Sequence, residues 1–286
     1  MEERERERWR RSTNLEMKFE ALNFYKFSSH SSPTHSTALN RVEADTQMPS
    51  ASTSSANGST PSASERKQSI LPLFPLLASH DQITRLDASY TLLNSLPLPT
   101  PPPNDPDTPY ALKRLIAGLA SSNESARQGF AVALAQLVQT LPDQQAAKVL
   151  PQLEEATTPR QGTDNREERD LLFAKLVGCH ALIRSGVLVR PEGSASNQGE
   201  AWKEVVQSLM TLGNKKSWIK EPSTWVITEA LKSLLESESE WKDETVKWAV
   251  QRLVNDAREK AKGWGPDKIA IVLVLQSYGV VSCSFP

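Results

Sequence analysis

From Ser69 onward, apolar residues recur at spacings of three and four, the period of helices that bury one side. Ile70-Leu71-Pro72-Leu73-Phe74-Pro75 carries prolines three apart, which predicts a short or irregular first helix. Asp81 suits an N-cap before a helix whose stripe is Ile83, Leu86, Tyr90, Leu93 and Leu96. The proline-rich run from Pro97 to Pro109 breaks the pattern and predicts an extended connection. Pro109 fits the first turn of the next helix, with Leu112, Leu115, Ile116 and Leu119 buried and Lys113 and Arg114 outside. Ser122 reads as the cap of a helix bearing Ala126, Phe130, Leu134, Leu137 and Leu141, and a further helix is expected from Asp143 to Glu155.

The next helix opens with the acids Glu167, Glu168 and Asp170, favoured at a helix N-terminus, and stops at Gly186, a residue typical of the position after a helix. It carries two apolar stripes: Leu172, Leu176, Cys179 and Ile183, and then Phe173, Val177 and Ala181. A helix apolar on two sides is sandwiched by neighbours, as in the inner row of a stacked array. Residues 187 to 199 read as a loop. Helices are then expected from Glu200 to Leu212, Pro222 to Leu235, Trp241 to Lys262 and Pro266 to Tyr278. In the third of these, Val246, Val250, Leu253, Val254 and Ala257 form the expected core stripe, with Trp241 and Trp248 almost opposite it. Ile269 to Leu275 has strand propensity, but Pro266-Asp267 is a helix start and every neighbour is helical, so a buried helix is expected. With roughly ten helices, no convincing strand and no tight consensus repeat, the pattern predicts an all-α, irregular armadillo/HEAT-like helical solenoid rather than a bundle.

Composition divides the chain. Residues 1–66 are expected to form a disordered Ser/Thr-rich tail, short of large apolar residues apart from the island Leu22, Phe24, Tyr25 and Phe27. Residues 67–279 form the expected helical-repeat domain, the N-terminal part of a larger solenoid. Residues 280–286 read as an irregular end without a polar capping helix, which suggests a truncation. The net charge of −1 argues against a domain dominated by electrostatic binding to nucleic acid. Cys179 and Cys283 form no metal-binding or disulfide pattern, and no apolar run is long enough for a membrane span. No membrane partner is therefore expected.

Two stretches carry a longer likeness: the run from Tyr110 through Phe130, which opens Tyr-Ala-Leu-Lys-Arg-Leu-Ile-Ala-Gly-Leu, and Glu167-Glu168-Arg169-Asp170-Leu171-Leu172-Phe173-Ala174-Lys175-Leu176-Val177-Gly178. Their wording resembles the N-terminal region of the DNA polymerase phi family, also called the DNA polymerase V or Myb-binding protein 1A-like family, over roughly residues 67–278. The resemblance implies a scaffold of the nucleus and nucleolus. Its expected roles are ribosomal DNA transcription and ribosome biogenesis, and its expected partners are ribosomal DNA or pre-ribosomal RNA and nucleolar or transcription proteins. The family name and its synonym imply two alternatives, a DNA-directed DNA polymerase and a co-regulator that binds a transcription factor.

A polymerase needs carboxylates converging on two metal ions. The Asp-x-Asp at Asp105-Pro106-Asp107 lies within the proline run, where turn formation explains it. Cys179 and His180 diverge by about 100° on a helix and cannot share a metal. No phosphate-binding glycine loop occurs. The sequence thus predicts no catalytic, metal or cofactor-binding residues, no cofactor and no small-molecule substrate. Its binding signals are two. Lys215, Lys216, Trp218 and Lys220 set an aromatic among positive charges, suited to nucleic acid; the alternative is a solvated turn with Trp218 packed inward. Trp241 and Trp248 offer a partner-binding ridge, or else fill space between helices.

Overall fold

The computed structural model describes residues 70–98, 101, 105–142, 148–190, 195–255 and 265–282. The chain divides into two units, residues 1–65 and 66–286, and everything described lies in the second. The expected tail, the aromatic island at 22–27, the helix start at Asp143, the helix end at Lys262 and Cys283 all fall outside the described residues.

Ten α-helices run through the described residues: α1 (Leu73–Leu77), α2 (Gln82–Ser95), α3 (Asp107–Gly118), α4 (Glu124–Thr140), α5 (Val149–Thr157), α6 (Asn165–Arg184), α7 (Ala195–Gly213), α8 (Ser217–Glu236), α9 (Lys242–Val250) and α10 (Pro266–Ser277). No strand occurs among them. Consecutive helices pair, α1 with α2, α3 with α4, α5 with α6 and α7 with α8. The even-numbered helices also pack in series, from α2 onto α4, α6, α8 and finally α10. Odd-numbered helices form a second layer in which α3 meets α5 and α7 meets α9. This is an all-α helical solenoid of two layers.

The repeat missing from the sequence consensus survives in the capping. Asp81, Asn123 and Asp164 stand 42 and then 41 residues apart, and each side chain accepts a backbone N–H of the first turn of α2, α4 or α6. Arg85 and Arg127, each the fourth residue of its helix, both donate to a carbonyl six residues back, at Ser79 and Ser121. The same device therefore closes the first two hairpins. It satisfies loop carbonyls that no helix hydrogen bond reaches.

The predicted stripes of α3, α4 and α6 are buried in full, except that Phe173 and Val177 are half-buried. In α6, burial on two sides follows from neighbours in both layers: it touches α4 and α8 in its own row and α5 across from it. The helix ends where Gly186 turns back with φ +69°, a conformation that costs other residues free energy. The apolar segment at Ile269–Leu275 lies in α10, a helix as expected, but only Ile271, Val272 and Leu275 of it are buried, and Ile269 and Leu273 are exposed.

Other expectations need correction. In α2 the buried residues are Arg85, Ala88, Ser89 and Leu92, whereas Ile83 is 68% exposed and Tyr90 is also exposed. The cap of α4 is Asn123, not Ser122, because its carboxamide accepts from Ser125 N at 2.9 Å. Helix α8 begins at Ser217, five residues before Pro222, although proline removes the hydrogen bond back to Trp218 O. Full burial of Ile219 anchors that first turn despite the proline. Helix α7 starts at Ala195, and a 3₁₀ turn at Val187–Val189 occupies part of the expected loop. The buried face of α9 is Thr245 and Ala249, with Val246 and Val250 only half-buried, whereas Leu253 and Val254 just beyond the helix are buried as expected.

Candidate interaction surface

The lysine–tryptophan segment lies where α7 hands over to α8. Helix α7 stops at Gly213 and α8 begins at Ser217, so Lys215 and Lys216 sit in the connection and Trp218 and Lys220 on the first turn of α8. Ile219 is fully buried, while Trp218 and Lys220, about 100° to either side of it on the helix, are exposed. Trp218 keeps 42% of its surface exposed, and all three lysines are exposed.

Its surroundings come from the adjacent even-numbered helices. The Trp218 ring leans on Phe173 of α6, with centroids 5.1 Å apart and planes tilted by 38°. Arg127 of α4 lies over the same Phe173 ring, its Cζ 5.1 Å from the centroid, a cation–π arrangement. A row Arg127–Phe173–Trp218 thus crosses three helices. Lys216 Nζ meets Glu168 Oε2 of α6 at 2.9 Å, and Lys220 Nζ meets Asp267 Oδ2 of α10 at 3.1 Å. The segment therefore packs and remains open at once. Trp218 is neither inward nor isolated.

Trp241 and Trp248 lie elsewhere, half-buried against α7. A Cβ added at Gly199 would come within 3.2 Å of Trp241 Cε3, and the Trp248 ring stands edge-on to Trp202, centroids 6.3 Å apart. Trp202 is fully buried and donates Nε1–H to Ala230 O at 3.3 Å. These indoles fill the space between α9 and α7.

Asp105 has a local structural role. Both oxygens of Asp105 accept backbone N–H groups, from Asp107 at 3.2 Å and Thr108 at 3.1 Å, which starts α3. Among the described residues, no three His, Cys, Asp or Glu side chains gather as metal ligands. No described helix is long and apolar enough to cross a membrane.

Beside Cys179, Glu154 of α5 pairs with Lys175 of α6 and accepts from Ser208 of α7. This polar junction ties three helices together. Burial pushes the fully enclosed Cys179 thiol up to about 12, with the Glu154 charge adding to the effect. The thiolate is the reactive form, so Cys179 is expected to be inert in the native chain. In a Cys283→Ser background, iodoacetamide at pH 8 is expected to leave Cys179 unmodified until denaturant is added. Rapid native labelling would contradict this burial.

Sequence reasoning found Trp218 and its lysines but missed Arg127, Glu168 and Asp267 as their neighbours. Phe173 was visible as part of a second apolar stripe. What placed it under Trp218 is the stacking of α6 on α8, which no local pattern encodes.

A sequence model of the family described as DNA polymerase phi matches residues 110–284, from α3 through α10. The chain belongs to the DNA polymerase phi family. This member is 34% identical over 166 residues to the rDNA transcriptional regulator pol5 of Schizosaccharomyces pombe, covering 58% of this chain and 16% of that protein. It is 35% identical over 173 residues to Myb-binding protein 1A of Mus musculus, covering 60% of this chain and 12% of the relative. The rDNA transcriptional regulator POL5 of Saccharomyces cerevisiae is 29% identical over 181 residues, covering 57% of this chain and 18% of that protein. The family member described here thus spans less than a fifth of the length of these relatives. No solved structure matches it. The names carried by these relatives describe transcriptional regulation and protein binding, while the family description refers to a polymerase.

Proposed function

We propose that this chain is a non-enzymatic scaffold segment of a nuclear, nucleolar regulator of ribosomal DNA transcription and ribosome biogenesis. It would act by binding ribosomal DNA or pre-ribosomal RNA together with nucleolar or transcription proteins. The observation that carries this reading is the match over residues 110–284 to a family whose relatives include the two yeast rDNA transcriptional regulators. The architecture supports it. Stacked helical pairs use their apolar stripes on one another and leave long rows of polar and aromatic side chains outside.

The test removes residues 110–284 from the full-length protein in cells. Occupancy at ribosomal DNA is expected to fall, and pulse-labelled rRNA synthesis to change with it. Unaltered occupancy and synthesis would sink the reading. A templated DNA extension assay on the purified full-length protein addresses the polymerase alternative, and activity abolished by changing one carboxylate pair would establish it. The name Myb-binding protein 1A favours a second reading, binding of a transcription factor. Pull-down from nuclear extract with and without nuclease separates protein contacts from those bridged by nucleic acid.

A further inference from the structure

We propose that the surface around Trp218 takes single-stranded nucleic acid, with one base stacked on the exposed indole face and neighbouring phosphates on Lys215, Lys216 and Lys220. This rests on the nucleic-acid part of the function proposed above and adds the strand state and the contacting residues.

Three features carry it. Phe173 backs the indole, and Arg127 lies over Phe173 in turn, so Trp218 is held in place while 42% of it stays open. A preset aromatic platform loses little freedom when a base stacks on it. Lys216 and Lys220 stand on either side of Trp218 in sequence, paired with Glu168 and Asp267. All four partners retain contact with solvent, and exposed ion pairs contribute little, so phosphates can replace the carboxylates at small cost. The charge balance of the surroundings then selects the strand state. Glu168 and Asp267 already face two of the three lysines, which leaves too little free positive charge for tight duplex binding by counterion release alone. Stacking must supply the remainder, and only an unpaired base offers its face.

The experiment measures anisotropy of fluorescein-labelled oligo-U and oligo-dT, each of about a dozen nucleotides, with the full chain across a salt series. Trp218→Ala is expected to weaken binding about ten- to hundredfold, whereas Trp218→Phe retains most of it. The triple variant Lys215→Ala/Lys216→Ala/Lys220→Ala is expected to reduce the salt slope by about 2, some 0.7 per lost phosphate contact. Glu168→Gln with Asp267→Asn removes the competing carboxylates and is expected to tighten binding severalfold without deleting any contact group. A blank duplex of the same length is expected to compete poorly. Unchanged binding by the Trp218 and lysine variants, each with a native melting curve, would overturn the site while leaving the regulator reading intact. So would a Trp218→Ala variant that loses a nuclear protein partner but keeps the oligonucleotide. Failure of the wild-type chain to bind either strand overturns the site as well; ribosomal DNA occupancy, measured separately, then decides the regulator reading.

Discussion

Gly129→Ala is expected to destabilise the folded chain by about 3 kcal/mol, near the top of the range for overfilling a packed interior. A Cβ at this position would lie 2.0 Å from Leu77 O and 2.9 Å from Arg85 Cδ. Leu77 O is backbone, so relief requires α1 to move away from α4. Leu77 and Phe74 of α1 would lose their burial in the process. The substitution also displaces Arg85, whose guanidinium donates to Ser79 O and His80 O. Intrinsic helix propensity runs the other way and favours alanine by about 1 kcal/mol, so the net loss understates the steric cost. Gly178→Ala provides the comparison. Its Cβ meets Leu153 Cδ1 at 2.5 Å and Cδ2 at 2.6 Å, the mobile end of a side chain, and a change of leucine rotamer relieves most of it. A cost of about 1 kcal/mol is expected there. Denaturant midpoints of the two variants, with equal m-values, check the pair. Equal losses would mean that α1 is not held against α4.

The face that α2 buries is set by its packing on α1 and α4. The most apolar line along α2 runs through Ile83 and Tyr90, yet the helix buries Arg85, Ala88, Ser89 and Leu92. Arg85 passes beside Gly129, its Cδ 2.9 Å from where a Cβ there would lie, and reaches the loop carbonyls of Ser79 and His80, so a charged residue takes a core-facing position. Complementarity of this kind belongs to two helices far apart in the chain, and periodicity within one cannot show it. Helices α4 and α6 were legible for the opposite reason. Their stripes from Ala126 to Leu141 and from Leu172 to Ile183 consist mostly of large apolar residues, so burial follows from area. Pro222 marks a third case. A strong local rule put the start of α8 five residues late, because Ile219 and the Phe173–Trp218 contact hold the first turn from outside. The candidate surface divides the same way: its aromatic and lysines are contiguous in sequence and could be found, while Arg127, Glu168 and Asp267 arrive from three other helices.

The second large effect is a loss of stability in mild acid, traced to His180. This residue of α6 is almost fully buried and packs against Trp225 of α8, with ring centroids 4.9 Å apart and planes at 65°. Burial holds its imidazole down to about 3, and the positive charge of Arg184 one turn later pushes the same way. In the unfolded chain the group titrates at about 6.5. The sign follows from proton uptake. Above 6.5 neither state binds the proton and His180 contributes no pH dependence. Below 6.5 the unfolded state takes it up and the folded state does not, so stability falls as pH drops towards 3. Each pH unit corresponds to about 1.4 kcal/mol, which gives a loss of roughly 2 kcal/mol between pH 7 and pH 5, before most carboxylates titrate. His180→Gln changes the absolute stability through packing, but the decisive quantity is the slope. Urea unfolding of the variant between pH 7 and pH 5 is expected to show a dependence flatter by that amount. If wild type and variant decline in parallel, the imidazole reaches solvent in the folded state, and the contact between α6 and α8 at Trp225 is looser than the geometry indicates.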